Sequence, residues 1–165
     1  MNESYAEYLV RRKTPAYAWL VTGLLGVITA FFVVMAMTSG ILSVILMFVF
    51  GFLTYLSYRN FHVEFEYLYV DREISVDKIF NKTRRKRAEK FELDRIEIFA
   101  PINSWHLDGV KNRDLKTTDY SSGVAGQPDR RYLMIYNGDR KVIMEPNAAM
   151  VKAMQSVAPR KVFSD

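Results

Sequence analysis

The sequence predicts a two-helix transmembrane hairpin followed by a mainly β (α+β) domain of six or seven antiparallel strands with a C-terminal capping helix. Three observations predict it. Residues 16–58 form a 43-residue stretch without a charge. Beyond residue 60 the apolar residues change to the two-residue alternation of half-buried strands. Near the end, Met150, Met154 and Val157 return to helical spacing.

The uncharged stretch divides at Thr38-Ser39-Gly40 into 22 residues (16–37) and 18 residues (41–58). At about 1.5 Å per residue the first reaches roughly 33 Å, enough for a hydrocarbon core of about 30 Å. The second is near the lower limit for a span. The whole is too long for a single span or a signal peptide core. Arg11, Arg12 and Lys13 precede the first span, Arg59 follows the second, and the turn between them is uncharged. Basic flanks stay inside, so residues 1–15 and 59–165 are both expected in the cytoplasm, attached to a multi-pass protein of the cell membrane. Neither span contains Asp, Glu, Lys, Arg or His, which argues against an ion path or a membrane-embedded enzyme. Gly23, Gly26 and Ala30 share one face of the first helix. That spacing predicts close helix packing, within the hairpin or in a homo-oligomer.

In the domain, Phe61 to Tyr67 reads as a first strand, with Phe61, Val63, Phe65 and Tyr67 on one face and His62, Glu64 and Glu66 on the other. Asp71-Arg72-Glu73 turns the chain into a second strand at 74–80, and Asn81-Lys82-Thr83 into a third at 84–91. Cross-strand ion pairs of Glu64 and Glu66 with Arg84 and Lys86 are expected there rather than a metal site. Residues 93–101 give a fourth strand. The stretch 103–129 reads as a long loop, with one strand around 118–121. Asn137-Gly138 between two apolar runs predicts a hairpin over 131–144. Asn147 is placed to cap the final helix, and Pro159 to stop it.

The runs VEFEYLYV (63–70), TRRKR (83–87), IEIFAP (96–101) and DYSSG (119–123), with the ending EPN…APRKVF (145–163), carry a resemblance that extends over nearly the whole chain. With the strand order, the capping helix and the two spans ahead of them, they resemble bacterial PH-like membrane proteins, and more closely a family of small two-span proteins from anaerobic Gram-positive bacteria. The resemblance implies a PH-like β domain. It implies no chemistry, because a fold does not supply a function.

Charge marks the first candidate site. Residues 78–90 hold seven basic residues (Lys78, Lys82, Arg84, Arg85, Lys86, Arg87 and Lys90) and one acid, Glu89, a net of +6. Residues 59–165 as a whole carry +4, so outside that run the domain is −2. A basic hairpin beside the inner leaflet suits anionic headgroups. Nucleic acid is not expected, because Phe80 and Phe91 have strand-core parity rather than that of an exposed stacking platform. The long loop is the second candidate. A flexible insertion is its leading reading, and the alternative is a partner-binding loop with Trp105 and Tyr120 as anchors. His106, Asp108, Asp114, Asp119 and Ser121 form no recognisable base–nucleophile arrangement. With no cysteine and two histidines, no metal site and no cofactor are expected. The functional expectation is a non-catalytic interaction module at the cytoplasmic leaflet, contacting anionic lipid or a membrane protein through the basic hairpin. The alternative is an accessory or assembly subunit that binds through its spans.

Overall fold

A computed structural model describes residues 5–164. The chain divides into two compact units: residues 14–63, and residues up to 13 together with 64 onward.

The first unit is a helical hairpin. Helix α1 runs Ala16–Ala36 and α2 runs Ile41–Phe61. Each is long and apolar enough to cross a membrane, and little of either is buried within the structure. Gly40 joins them in the left-handed region at φ 78°, a conformation that suits glycine. The second helix is one turn longer than expected, because Arg59, Asn60 and Phe61 continue it. The helices meet through small and hydroxyl side chains. Ala18 and Ser43 are buried, and Gly51 admits the Thr29 methyl. Thr22 hydrogen-bonds Ser57 at 3.1 Å and Thr29 hydrogen-bonds Thr54 at 3.2 Å. The Thr29 and Thr54 hydroxyls also lie 2.8 Å from the carbonyls of Leu25 and Phe50 in their own helices, and the one that does not donate across the seam donates there. Phe32 stacks on Phe50 in one half, and Tyr17 meets Phe61 edge-on at the open end. This interface leaves out the three residues expected to pack. Gly23 and Gly26 have no neighbour within 4 Å of where a Cβ would stand, and Ala30 is exposed.

The second unit holds two four-stranded sheets and a helix. The first sheet has the order β1-β2-β3-β4, formed by Ala6–Arg11, Val63–Val70, Glu73–Phe80 and Arg84–Glu92. Its first strand corrects the reading of residues 1–15 as a separate segment (residues 1–4 lie outside the described residues). Ala6 to Arg11 pair antiparallel with Tyr69 to Glu64, so the domain is built from both sequence flanks of the helical hairpin. Ala6 and Val10 join the core beside Phe65, Tyr67 and Tyr69. Two hairpin turns place both central residues at positive φ, Asp71-Arg72 and Asn81-Lys82; that handedness matches the twist of the flanking strands.

The second sheet has the order β5-β7-β8-β6, formed by Ile96–Pro101, Tyr132–Tyr136, Arg140–Met144 and Lys116–Asp119. Asn137-Gly138 makes the expected tight turn between β7 and β8. The eight strands are not all antiparallel: β6 pairs parallel with β8. A parallel neighbour needs a crossover, and the long loop together with β7 supplies it. Helix α3, Ala148–Val157, buries Met150, Val151 and Met154, and Asn147 Oδ1 accepts from the Met150 amide at 2.8 Å. The tail then runs beside β5, where Phe99 N–H donates to the Lys161 carbonyl and Phe163 N–H to the Phe99 carbonyl.

Both faces of the second sheet are covered. Met134, Val142 and Met144 face the main core with Phe99 and Ile96. Leu133 and Ile135 face the other way and meet Leu107 and Val110 in a second cluster. The first half of the 103–129 stretch is therefore a folded cover rather than a flexible insertion.

Because β1 is the outer strand over Phe65, Tyr67 and Tyr69, deletion of residues 1–11 uncovers the core and leaves β2 an unpaired edge. The expected loss is on the order of 5 kcal/mol, comparable to the whole stability of a small domain. Thermal unfolding and limited proteolysis of the truncated chain check this; an unchanged midpoint would remove β1 from the fold.

Candidate functional site

The basic hairpin is β3–β4, and a bulge sorts its charges. Val76 pairs with Glu89, but Asp77 pairs with Arg87, so Ala88 is an extra residue in β4. A one-residue insertion moves every later side chain to the opposite face. Without it, Arg87 and Arg85 would follow Phe91 and Glu89 toward the core. With it, they turn to the outer face of the sheet.

On that outer face the cations meet acids. Arg85 pairs with Glu66, and its Nε also lies 3.8 Å from Asp77. Arg87 reaches Asp77 at 3.5 Å, Lys90 reaches Glu73 at 2.5 Å, and Arg11 reaches Glu64 at 2.8 Å. Glu64 and Glu66, each only 9% exposed, are roofed by these arginines. The expected partners Arg84 and Lys86 are thus replaced by Arg11 and Arg85. The reasons are the unread β1 strand beside β2 and the parity change at Ala88. Burial holds the Glu66 carboxyl above its ordinary range against the opposing pull of Arg85. Glu7 on β1 is held below the ordinary range, first by the hydrogen bond from the Tyr5 hydroxyl.

On the inner face, Lys78 stands directly opposite Lys86, and Phe80 opposite Arg84. The Lys78 ammonium lies 5.5 Å from the centre of the Tyr120 ring. Lys82 sits at the turn, at φ 59°. Among the described residues, Lys78, Lys82, Arg84 and Lys86 have no carboxylate within ion-pair distance, in contrast to their neighbours. Deeper on the same face, Glu89 accepts from Arg140 at 2.8 and 3.0 Å and from the Tyr120 hydroxyl at 2.9 Å, which ties β4 to β8. Sequence reasoning missed Arg140 as a site neighbour; its one signal was the lone acid Glu89 inside a basic run.

The loop residues separate. Trp105 is 71% exposed and stacks on His106, which stacks in turn on Phe163 at 3.8 Å. It remains available as an anchor. Tyr120 is 4% exposed and is not: its ring packs against Phe65 and Phe91, and its carbonyl accepts from the buried Tyr67 hydroxyl. Burial, and then the Glu89 carboxylate, push the Tyr120 hydroxyl well above the usual phenol range. Asp119 accepts from the Ser121 amide and hydroxyl, which makes a closed turn. No group of three or more metal-ligating side chains occurs among the described residues.

Glu66 gives a pH dependence. A carboxyl whose folded pKa is raised stabilises the fold below about pH 4.5, its ordinary value, and loses that contribution as pH rises through the raised value. Arg85→Ala removes the opposing cation and raises it further. Arg85 is more than half exposed, so the effect is screened. The substitution is expected to cost little at pH 4 and about 1 kcal/mol at pH 7, measured by denaturant unfolding at both pH values. An equal cost at both would exclude Glu66 as the cause.

No curated protein and no solved structure matches the chain. A family model described as a bacterial PH-like domain (DUF6106) matches residues 2–164, which takes in both helices and both sheets. Two sheets, a C-terminal helix and a match over almost the whole length agree, and the chain belongs to this bacterial PH-like domain family.

Proposed function

We propose that the protein is a membrane-anchored PH-like interaction module whose domain contacts anionic lipid or a membrane protein at the cytoplasmic leaflet. The observation that carries this reading is the confinement of the domain's positive excess to one β-hairpin, in a chain that also bears two apolar helices. The surfaces of α1 and α2 are apolar and largely unburied, which suits lipid and not water. β1 and β2 pair with each other and flank the helices in sequence, so both flanks lie on one side of any bilayer the helices cross. The basic residues at 11–13, at Arg59 and in β4 favour the cytoplasmic side. The anchor supplies localisation, and the basic hairpin supplies orientation or headgroup contact. We assign no catalytic step. Asp119 and Ser121, the nearest to a reactive pair, are spent on each other in a buried turn.

The test is amide exchange of the full chain in nanodiscs. Residues 78–90 are expected to exchange more slowly when phosphatidylglycerol is added to phosphatidylcholine, and to lose that protection at high salt. Equal exchange in the two lipid mixtures removes lipid from the reading and leaves a protein partner.

A second reading, an accessory subunit that binds through its helices, has one observation in its favour. Gly23, Gly26 and Ala30 are not used in the α1–α2 interface. Gly23→Leu with Gly26→Leu is expected to leave the protein folded and to change the set of proteins that co-purify from native membranes. An unchanged set counts against this reading.

A further inference from the structure

The bulge at Ala88 divides the seven cations of the basic hairpin into two populations, and only one is free to bind. Arg85, Arg87 and Lys90 turn outward and are matched by Glu66, Asp77 and Glu73. They are internal ion pairs that roof the first sheet. Lys78, Arg84 and Lys86 turn inward, joined at the turn by Lys82. Two lysines directly opposite each other on neighbouring strands repel. Here the pair is flanked by two further cations, and no carboxylate among the described residues answers them. The domain has the acids to neutralise such a cluster and places them on the other face. Phe80 stands between Lys78 and Lys82 in sequence, half-buried, on the inner face with Arg84.

We propose that Lys78, Lys82, Arg84 and Lys86 form the lipid-contacting surface, and that its occupant is the anionic headgroup layer of the bilayer that holds the helices. This rests on the membrane-module reading and narrows it to one face of one hairpin. Charge complementarity selects the occupant: four unanswered cations around an aromatic side chain suit a layer with phosphates at its surface and apolar chains beneath. The chain's connectivity supplies proximity. Only residues 12–15 separate β1 from α1, and only His62 separates α2 from β2. An extended cationic face near a membrane meets headgroups at high local concentration, so weak individual contacts suffice.

The absence of cysteine makes the experiment clean, because Thr83→Cys gives the full chain a single spin-label site at the hairpin turn. The labelled protein is placed in nanodiscs of phosphatidylcholine alone or mixed with phosphatidylglycerol. Anionic discs are expected to slow the label and shield it from a water-soluble relaxation agent. The combined substitution Lys78→Gln, Lys82→Gln, Arg84→Gln, Lys86→Gln is expected to abolish that response, at about fivefold weaker contact for each cation removed. Its unfolding midpoint should stay level or rise, because the like-charge pair is gone. The combination Arg85→Gln, Arg87→Gln, Lys90→Gln is expected to keep the lipid response and lower the midpoint, since it strips the partners from Glu66, Asp77 and Glu73. Persistence of the response in the first variant overturns the inference while leaving a lipid-binding module. So does its loss in a folded form of the second. A label that responds to neither lipid mixture in the unsubstituted chain overturns the lipid reading itself, and the inference with it.

Discussion

The antiparallel ladder between β1 and β2 is the constraint on which the domain depends. Its six rungs join residues 6–11 to residues 64–69, across fifty-two intervening residues. A flexible insertion of that length would oppose closure by about 3–4 kcal/mol before any constant term. The insertion here is not flexible. Thr22–Ser57, Thr29–Thr54 and the Phe32–Phe50 stack hold α1 and α2 antiparallel, and Tyr17 meets Phe61 at the end where both chains leave the hairpin. The hairpin therefore brings its own ends together, and β1 and β2 inherit that closeness. The remaining strands build outward from β2 through tight turns.

Much of this was legible in the sequence because much of it is local. Uncharged length identifies the helices, and Asn137-Gly138 and Asn81-Lys82 announce their turns. Asn147 announces its cap. The failures are all non-local. The segment AEYLVR at 6–11 has no turn beside it and reads as a basic flank; only its partner, more than fifty residues away, makes it a strand. The bulge at Ala88 leaves no mark on β4, since Arg-Arg-Lys-Arg shows no parity. Which arginines face outward is decided by the opposing strand. The 103–115 stretch shows little periodicity because Leu107 and Val110 reach the second sheet through single-turn geometry rather than through a regular face. Tyr120 was misread for a related reason: its surroundings in sequence are polar, while its surroundings in space are Phe65, Phe91 and Tyr67.

Charge sorting follows from the same geometry. A strand of four consecutive basic residues cannot direct them all to one face. The sheet answers with acids on the middle strands β2 and β3, where Glu64, Glu66 and Asp77 are screened from water by the arginines they hold. Such pairs add modestly to stability. Their larger effect is to make the outer face electrically quiet and to leave the net charge of the hairpin on the other. Where Glu89 ties Arg140 and Tyr120 together, the inner face changes from charged to apolar within one residue pair.

The position of the helices between two paired strands also has a mechanical meaning. Both helices continue into the same end of one ladder, at Arg11 and Glu64. A pull that spreads the helices apart would load that ladder as a zipper is loaded, one rung at a time, beginning with the Arg11–Glu64 pair. A pull that moves both helices together would load neither strand against the other. The ladder thus resists a pull shared by its two strands and yields to one that separates them.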